Sequence, residues 1–210
     1  MTSSWIWLLV IGGLVVGVYI WYAIIVARRN KVGEALSSVD VHLNQRHDFV
    51  PNIVKLAARF MEHERGLIEE VTRLRRRVDG PLARAPGEVE ARFALEGELA
   101  QRVGQLLVTM EAYPELKSDT TVLEAQRTWT EVEAQITAAR RFYNAAVNQL
   151  NNAIQIFPGN LIAGLAGAQP MPFFEAPAAA RAAPSVDGIL GPGTPRVEVA
   201  PSAPQVERRP

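Results

Sequence analysis

The chain has 210 residues, 48% of them hydrophobic, and its 22 Lys and Arg balance 22 Asp and Glu. A chain of this length holds one domain with additions rather than two full domains, and a formal charge of zero argues against a general nucleic-acid binder, so no nucleic-acid partner is expected. The lack of cysteine excludes a disulfide framework, a thiolate nucleophile and a Cys-ligated metal centre.

Charge divides the chain into three blocks. Residues 1–27 carry no Asp, Glu, Lys or Arg, residues 28–157 carry 18 basic and 18 acidic side chains, and residues 158–210 carry four of each with ten of the 14 prolines. Behind a short tail (1–4), Trp5 to Val26 is a run of 22 residues without formal charge. As a helix it extends about 33 Å, enough for a hydrocarbon core of ~30 Å. Its 13 Leu, Ile and Val residues favour insertion, and Trp5, Trp7, Trp21 and Tyr22 stand near the ends, where aromatic rings prefer the headgroup level. A cleaved signal peptide would need a basic leader and a shorter apolar run. Met1-Thr2-Ser3-Ser4 has no basic residue and Arg28-Arg29 follows the run directly, so an uncleaved transmembrane helix over 5–26 is expected. Arg28, Arg29 and Lys31 flank only its C-terminal side, which places the following domain in the cytoplasm and the N-terminus outside. Gly13 and Gly17, four apart within the run, permit close helix approach and hence a homo-oligomer.

The body reads as helical. Val32, Leu36, Val39, Leu43 and Val50, then Ala57, Phe60, Leu67, Val71, Leu74 and Val78, form an apolar seam. Pro51 interrupts it, which predicts helices of about 30–49 and 51–79 or a single kinked one. Gly-Pro punctuation at Asp79-Gly80-Pro81 and Ala85-Pro86-Gly87 brackets a loop. A further helix is predicted from about Gly87 to Ala112 on the spacing of Leu99, Val103, Leu106 and Met110, with Pro114 beyond its end. The last runs from Asp119 to Phe157. Its seam is Trp129, Val132, Ile136, Ala139, Tyr143, Ala146, Leu150, Ala153 and Phe157; Asp119 or Ser118 caps it, and Pro158-Gly159 stops it. The fold class is therefore all-α: a transmembrane helix, an antiparallel four-helix bundle within 28–175, and a Pro/Ala-rich disordered tail over 176–210. Phe173 and Phe174 are the one late patch expected to dock back onto the bundle.

No catalytic constellation, cofactor or metal site is expected. His63-Glu64 begins like a zinc-protease motif, but position 67 is leucine where a second imidazole is needed. His42 and His47, five apart, point to different helix faces. No Glu stands three residues before a His, as a bundle di-metal site requires. Arg73, Arg75, Arg76 and Arg77 are the densest charge cluster; they suit the negative end of a helix, with lipid headgroups as a weaker reading. Arg140, Arg141, Tyr143 and Asn144, with Asn148, Asn151 and Asn152, need partners if buried. Asp40, Asp48 and Glu111 are the expected ones, and bonding to the tail is favoured over a ligand site.

These residues also carry a resemblance. Ser38-Val39-Asp40-Val41-His42-Leu43, Arg46-His47-Asp48-Phe49-Val50-Pro51-Asn52, His63-Glu64, Glu111-Ala112-Tyr113-Pro114-Glu115-Leu116-Lys117, Ala139-Arg140-Arg141-Phe142-Tyr143-Asn144, Phe157-Pro158-Gly159-Asn160 and Phe173-Phe174-Glu175 follow in the order seen in the LemA family of bacterial membrane proteins. The chain resembles that family over about residues 20–175. It departs from the family at His47, where tyrosine is usual, at Leu165-Ala166-Gly167, where aromatics are usual, and in its longer tail. The resemblance implies a single-pass protein of the bacterial inner membrane with a cytoplasmic helical bundle, and no enzymatic activity. It also implies a structural or interaction role for Asp40, Arg46, Asp48, His63, Glu64, Glu111, Tyr113, Arg140, Arg141, Tyr143 and Asn144. Two functions follow as expectations. One is a membrane-anchored, non-catalytic scaffold or adaptor whose partners are the lipid bilayer and an unidentified protein. The alternative is an accessory in membrane remodelling or in forming an organelle membrane of the magnetosome type.

Overall fold

A computed structural model of the chain describes residues 2–113, 116 and 119–175, with side chains from Trp5 onward. The described residues are helical, without strands. The tail over 176–210, expected to be disordered, lies outside them, as does Ser118.

Helix α1 runs Thr2–Phe60 unbroken. The apolar stretch and the first charged stretch are thus one rod of about 88 Å, and it is the one helix among the described residues long and apolar enough to cross a membrane. Pro51 lies inside it, so the expected division into helices of 30–49 and 51–79, or one kinked helix through to 79, is corrected. A proline withholds the N–H that would bond the carbonyl four residues back, which here is His47. Arg75 supplies the missing donor, its Nε bonding the His47 carbonyl oxygen at 3.0 Å. Val50, Ile53 and Ala57 are fully buried around the proline and hold the helix against its neighbours. The chain turns instead at buried Met61, where φ is −114° and ψ is 65°. A 3-10 turn, Glu62–Glu64, leads into α2, Arg65–Arg77.

The other long helices lie within two residues of their predicted bounds. Helix α3 spans Pro86–Met110, with proline in its first turn, where its fixed φ suits the helix and no donor is lost. Helix α4 spans Thr120–Gln155. Asp119 caps it, Oδ1 accepting the Thr121 amide at 2.8 Å, and this bond to the backbone holds the carboxyl below its ordinary range. The loop between α2 and α3 turns at Gly80, φ +100°, and is tied down where the Leu82 amide donates to Asp40 Oδ1 at 3.3 Å.

Named contacts give the helix directions. Arg28 bonds Gln149 and Arg46 bonds Glu133, so α4 runs antiparallel to α1. Arg102 pairs with Glu70 at 3.2 Å while Arg92 reaches back to the Gly80 carbonyl, so α3 runs antiparallel to α2. The apolar side chains form two clusters along the rod. One gathers Ile25 to Leu43, Val89, Phe93 and Val132 to Ile154; the other gathers Val50 to Met61, Val71 to Val78, Leu99 to Met110, Val122 and Trp129. Trp21, Ile25 and Val26 belong to the first cluster, so the apolar stretch and the body share a core at their junction.

Beyond α4 the predicted seam ends early. Ile154 is buried, whereas Phe157 is exposed. The Phe157–Pro158 bond is cis, and a short helix α5, Gly159–Ile162, follows. Only glycine fits at 159, because a Cβ would collide with the Ala153 carbonyl oxygen. Gly167, at φ +56°, closes the next turn together with an Ala168 amide to Ala163 carbonyl bond of 3.0 Å, the left-handed position that glycine takes without steric cost.

Candidate functional site

Two polar assemblies stand out against this apolar frame. The first is a layer between the two cores. Arg46 lies on the α1 seam between Leu43 and Val50, and Glu96 lies on the α3 seam between Phe93 and Leu99; with His47 they are the charged or polar residues buried among the described ones. Glu96 collects three donors. Arg46 Nη1 approaches Oε2 at 3.3 Å, Arg92 Nε donates to Oε1 at 2.9 Å, and His47 Nε2 lies 2.9 and 3.1 Å from the two oxygens. A carboxylate only accepts, so the His47 proton sits on Nε2. Arg46 also bonds the Glu96 backbone carbonyl at 3.1 Å, pairs with Glu133 on α4 at 2.7 Å, and places its guanidinium 5.8 Å from the Trp129 ring centre. Arg46 and Arg92 balance Glu96 and Glu133, two cations against two carboxylates. Such a layer adds little to stability against an apolar replacement of equal shape, but it penalises every register that leaves one charge unpaired.

The second assembly fixes the end of the described chain on α4. Asn151 Nδ2 donates to the Met171 carbonyl and Asn151 Oδ1 accepts the Met171 amide, both at 3.0 Å. Asn144 repeats this with Phe174, at 3.0 and 2.8 Å. The spacing is a matter of rise: seven helical residues cover about 10.5 Å and three extended residues about 10 Å. Each side-chain amide thus stands in for a neighbouring strand. Tyr143 donates its hydroxyl to the Pro172 carbonyl at 2.9 Å, and its burial pushes the phenol above its ordinary pKa. Phe174 stacks on Phe93, centroids 4.0 Å apart, and Phe93 meets Tyr143 edge-on at 5.4 Å. The Arg140 guanidinium lies 6.0 Å from the Phe174 ring centre.

The expected site residues therefore separate. Arg46 enters the polar layer, with Glu96 and Glu133 as partners rather than the expected Asp40, Asp48 or Glu111. Tyr143, Asn144 and Arg140 join the tail clamp, where Phe174 docks while Phe173 stays 48% exposed. Asp40 holds the α2–α3 loop. Tyr113 packs at the edge of the second core, and Glu111 reaches Gln126 at 3.5 Å. Asp48, His63 and Arg141 are exposed and Glu64 is half-buried. In the basic cluster, Arg75 is spent on the His47 carbonyl, while Arg73, Arg76 and Arg77 are exposed. Among the described residues no three His, Asp or Glu side chains gather as a metal ligand set. A cleft of 680 Å³ opens between Arg29 and Glu34 of α1, Arg84 of the loop and Met171 of the tail.

Sequence reasoning missed Glu96, His47 as a buried partner, Glu133 and Arg92. The signal was present in register: positions 46 and 96 fall where the helical spacing of their segments calls for apolar residues.

The fold is all-helical, with a long N-terminal helix that begins in an apolar stretch. The sequence model of the LemA family matches residues 35–187, and the chain belongs to the LemA family. A search of curated proteins found no match.

Proposed function

We propose that this protein is a membrane-anchored, non-catalytic helical scaffold: a single-pass protein of the bacterial inner membrane, N-terminus outside, with an antiparallel four-helix bundle in the cytoplasm. The observation that carries the reading is the continuity of α1 from the apolar stretch into both cores. A cleavable signal would not need to share a core with the mature domain, yet Trp21, Ile25 and Val26 pack with it. A body joined to its anchor by rigid helix presents its surface at a set height above the bilayer, and this raises the effective concentration of a weak binding surface. The buried charges are engaged with one another, which suits a structural role better than an acid–base one. The protein partner meets the cytoplasmic domain, and close approach at Gly13 and Gly17, where added Cβ atoms meet open space, would allow a second copy to join.

The test is photocrosslinking in living cells with a photoreactive residue at Arg84 beside the cleft or at exposed Arg141. A discrete protein adduct at either position is expected; background labelling alone, across growth phases, overturns the scaffold reading.

The alternative, membrane remodelling through the basic cluster, is less well supported by position. Arg75 lies level with His47, 21 residues past Val26 and therefore about 30 Å along α1. That is about four Debye lengths at physiological salt. Changing Arg73, Arg76 and Arg77 together to alanine is expected to leave bilayer association of the full chain unchanged, and a salt-dependent loss would favour the alternative.

A further inference from the structure

The corner between α4 and α5 is the largest anomaly left by the account so far. Ile156, Phe157, Leu161 and Leu165 are 58, 73, 69 and 78% exposed. Four large apolar side chains exposed within ten residues make this corner an apolar knob, which in water would be an aggregation liability. The neighbouring sequence adds an independent sign: from Phe142 to Phe174 there is no Asp, Glu, Lys, Arg or His. No other stretch of the folded body goes so long without charge.

The height of this corner is set by contacts already described. Helix α4 runs antiparallel to α1 with Gln149 beside Arg28, so Ile156, seven residues further on, comes level with Trp21. Ile154, Ile162, Ala163 and Ala166 share a cluster with Ile25, Trp21 and Val26, and Arg29 Nη1 donates to the Ala166 carbonyl at 3.3 Å. Ile156 therefore lies beside the last turns of the apolar stretch, about 7 Å below the level of Val26, while Leu165, next to Ala166, comes nearer the level of Arg29 at the edge of that stretch. The depth of Ile156 is the one at which the apolar face of an interfacial helix rests, roughly 5–10 Å into the headgroup and acyl boundary. Gly159 makes the exposure possible, since its close approach to the Ala153 carbonyl turns the chain sharply and leaves Phe157 and Leu161 on the outside.

We infer that the Ile156–Leu165 corner is a second membrane contact, a monotopic wedge inserted into the cytoplasmic leaflet beside the anchor. The occupant is lipid acyl chain and the contact is hydrophobic, so it needs no anionic headgroup. This rests on the anchored reading of α1 proposed above. A single helix leaves a body free to tilt and spin about its axis; a wedge fixed to the same body removes that freedom and sets one face of the bundle toward the membrane.

The native chain has no cysteine, which permits single-site labelling. Full-length variants carrying one cysteine in place of Phe157, Leu161 or Leu165 would receive an environment-sensitive fluorophore and be reconstituted in vesicles of phosphatidylethanolamine and phosphatidylglycerol. Leu14→Cys in the apolar stretch and Val108→Cys on the exposed far end of α3 serve as references. The three corner labels are expected to lose fluorescence to nitroxide-bearing lipids, as the position 14 label does, and to resist iodide, while the position 108 label does the reverse. Corner labels that behave like position 108, with position 14 quenched by lipid, overturn the wedge and leave the anchor standing. Corner labels shielded from iodide but untouched by lipid nitroxides show a protein surface there and also overturn it. Position 14 unquenched by lipid would remove the anchored reading and the wedge with it.

Discussion

Glu96 has three side-chain donors and no exposure to solvent, so its removal takes the acceptor from His47 and Arg92 and leaves buried Arg46 with Glu133 as its one carboxylate. Glu96→Ala is expected to cost about 3–5 kcal/mol. Replacing Arg46, His47 and Glu96 together by leucine or methionine is expected to cost little, because the desolvation of the charges disappears with them. Thermal unfolding of the detergent-solubilised full chain by circular dichroism compares the two; equal destabilisation would contradict this account of the layer. Tyr143 makes a pH prediction with a definite sign. The unfolded phenol titrates near pH 10 and burial raises the folded value, so the folded state keeps this proton more tightly. The resulting stability is complete below about pH 10 and is lost as pH rises beyond it. Tyr143→Phe removes the bond to Pro172, at about 1 kcal/mol, and is expected to flatten the alkaline loss; denaturant midpoints of both proteins at neutral and alkaline pH measure it. At this scale the sequence was readable where a residue's type matched its surroundings, as with Asp119 at a helix start. It was opaque where a partner lay far along the chain: Arg46 and Glu96 are 50 residues apart, and nothing local pairs them.

Helix boundaries were the most legible part of the molecule, because α3 begins at a proline and α4 begins at a capping aspartate and ends just before Pro158-Gly159, signals that act locally. The first body helix was misread for the opposite reason. Proline is a local breaker, but the cost at Pro51 is met by Arg75 from another helix, and the true turn at Met61 carries neither proline nor glycine. The compensation is testable as a cycle. Arg75→Ala should destabilise by roughly 1–3 kcal/mol, since the buried His47 carbonyl then lacks a donor. In a Pro51→Ala background the backbone N–H is restored, and the same change should cost much less; additive losses in unfolding experiments would rule the compensation out. The tail clamp belongs to this scale as well. The asparagines at 144 and 151 need partners once buried against the tail, and their seven-residue spacing matches three residues of extended chain. Asn144→Asp keeps the acceptor for the Phe174 amide but loses the donor to its carbonyl. Hydrogen exchange at residues 171–174 is expected to accelerate in that variant while exchange within α3 stays slow.

At the scale of the whole molecule, one rod passes from an apolar stretch through two packed cores separated by a layer of paired charges, and the remaining helices and the clamped tail fold back on it. This division into apolar stretch and charged body was legible as a change in charge density at Arg28. Their shared core was not, because Trp21, Ile25 and Val26 read as lipid-facing until α5 is seen against them. The proposed scaffold role requires the body to stand on the cytoplasmic side, tied to the bilayer by α1. The most direct measurement is labelling of a Val108→Cys variant with a membrane-impermeant maleimide. No labelling in intact spheroplasts and full labelling in inverted membrane vesicles is the expected result; labelling in intact spheroplasts would contradict the account.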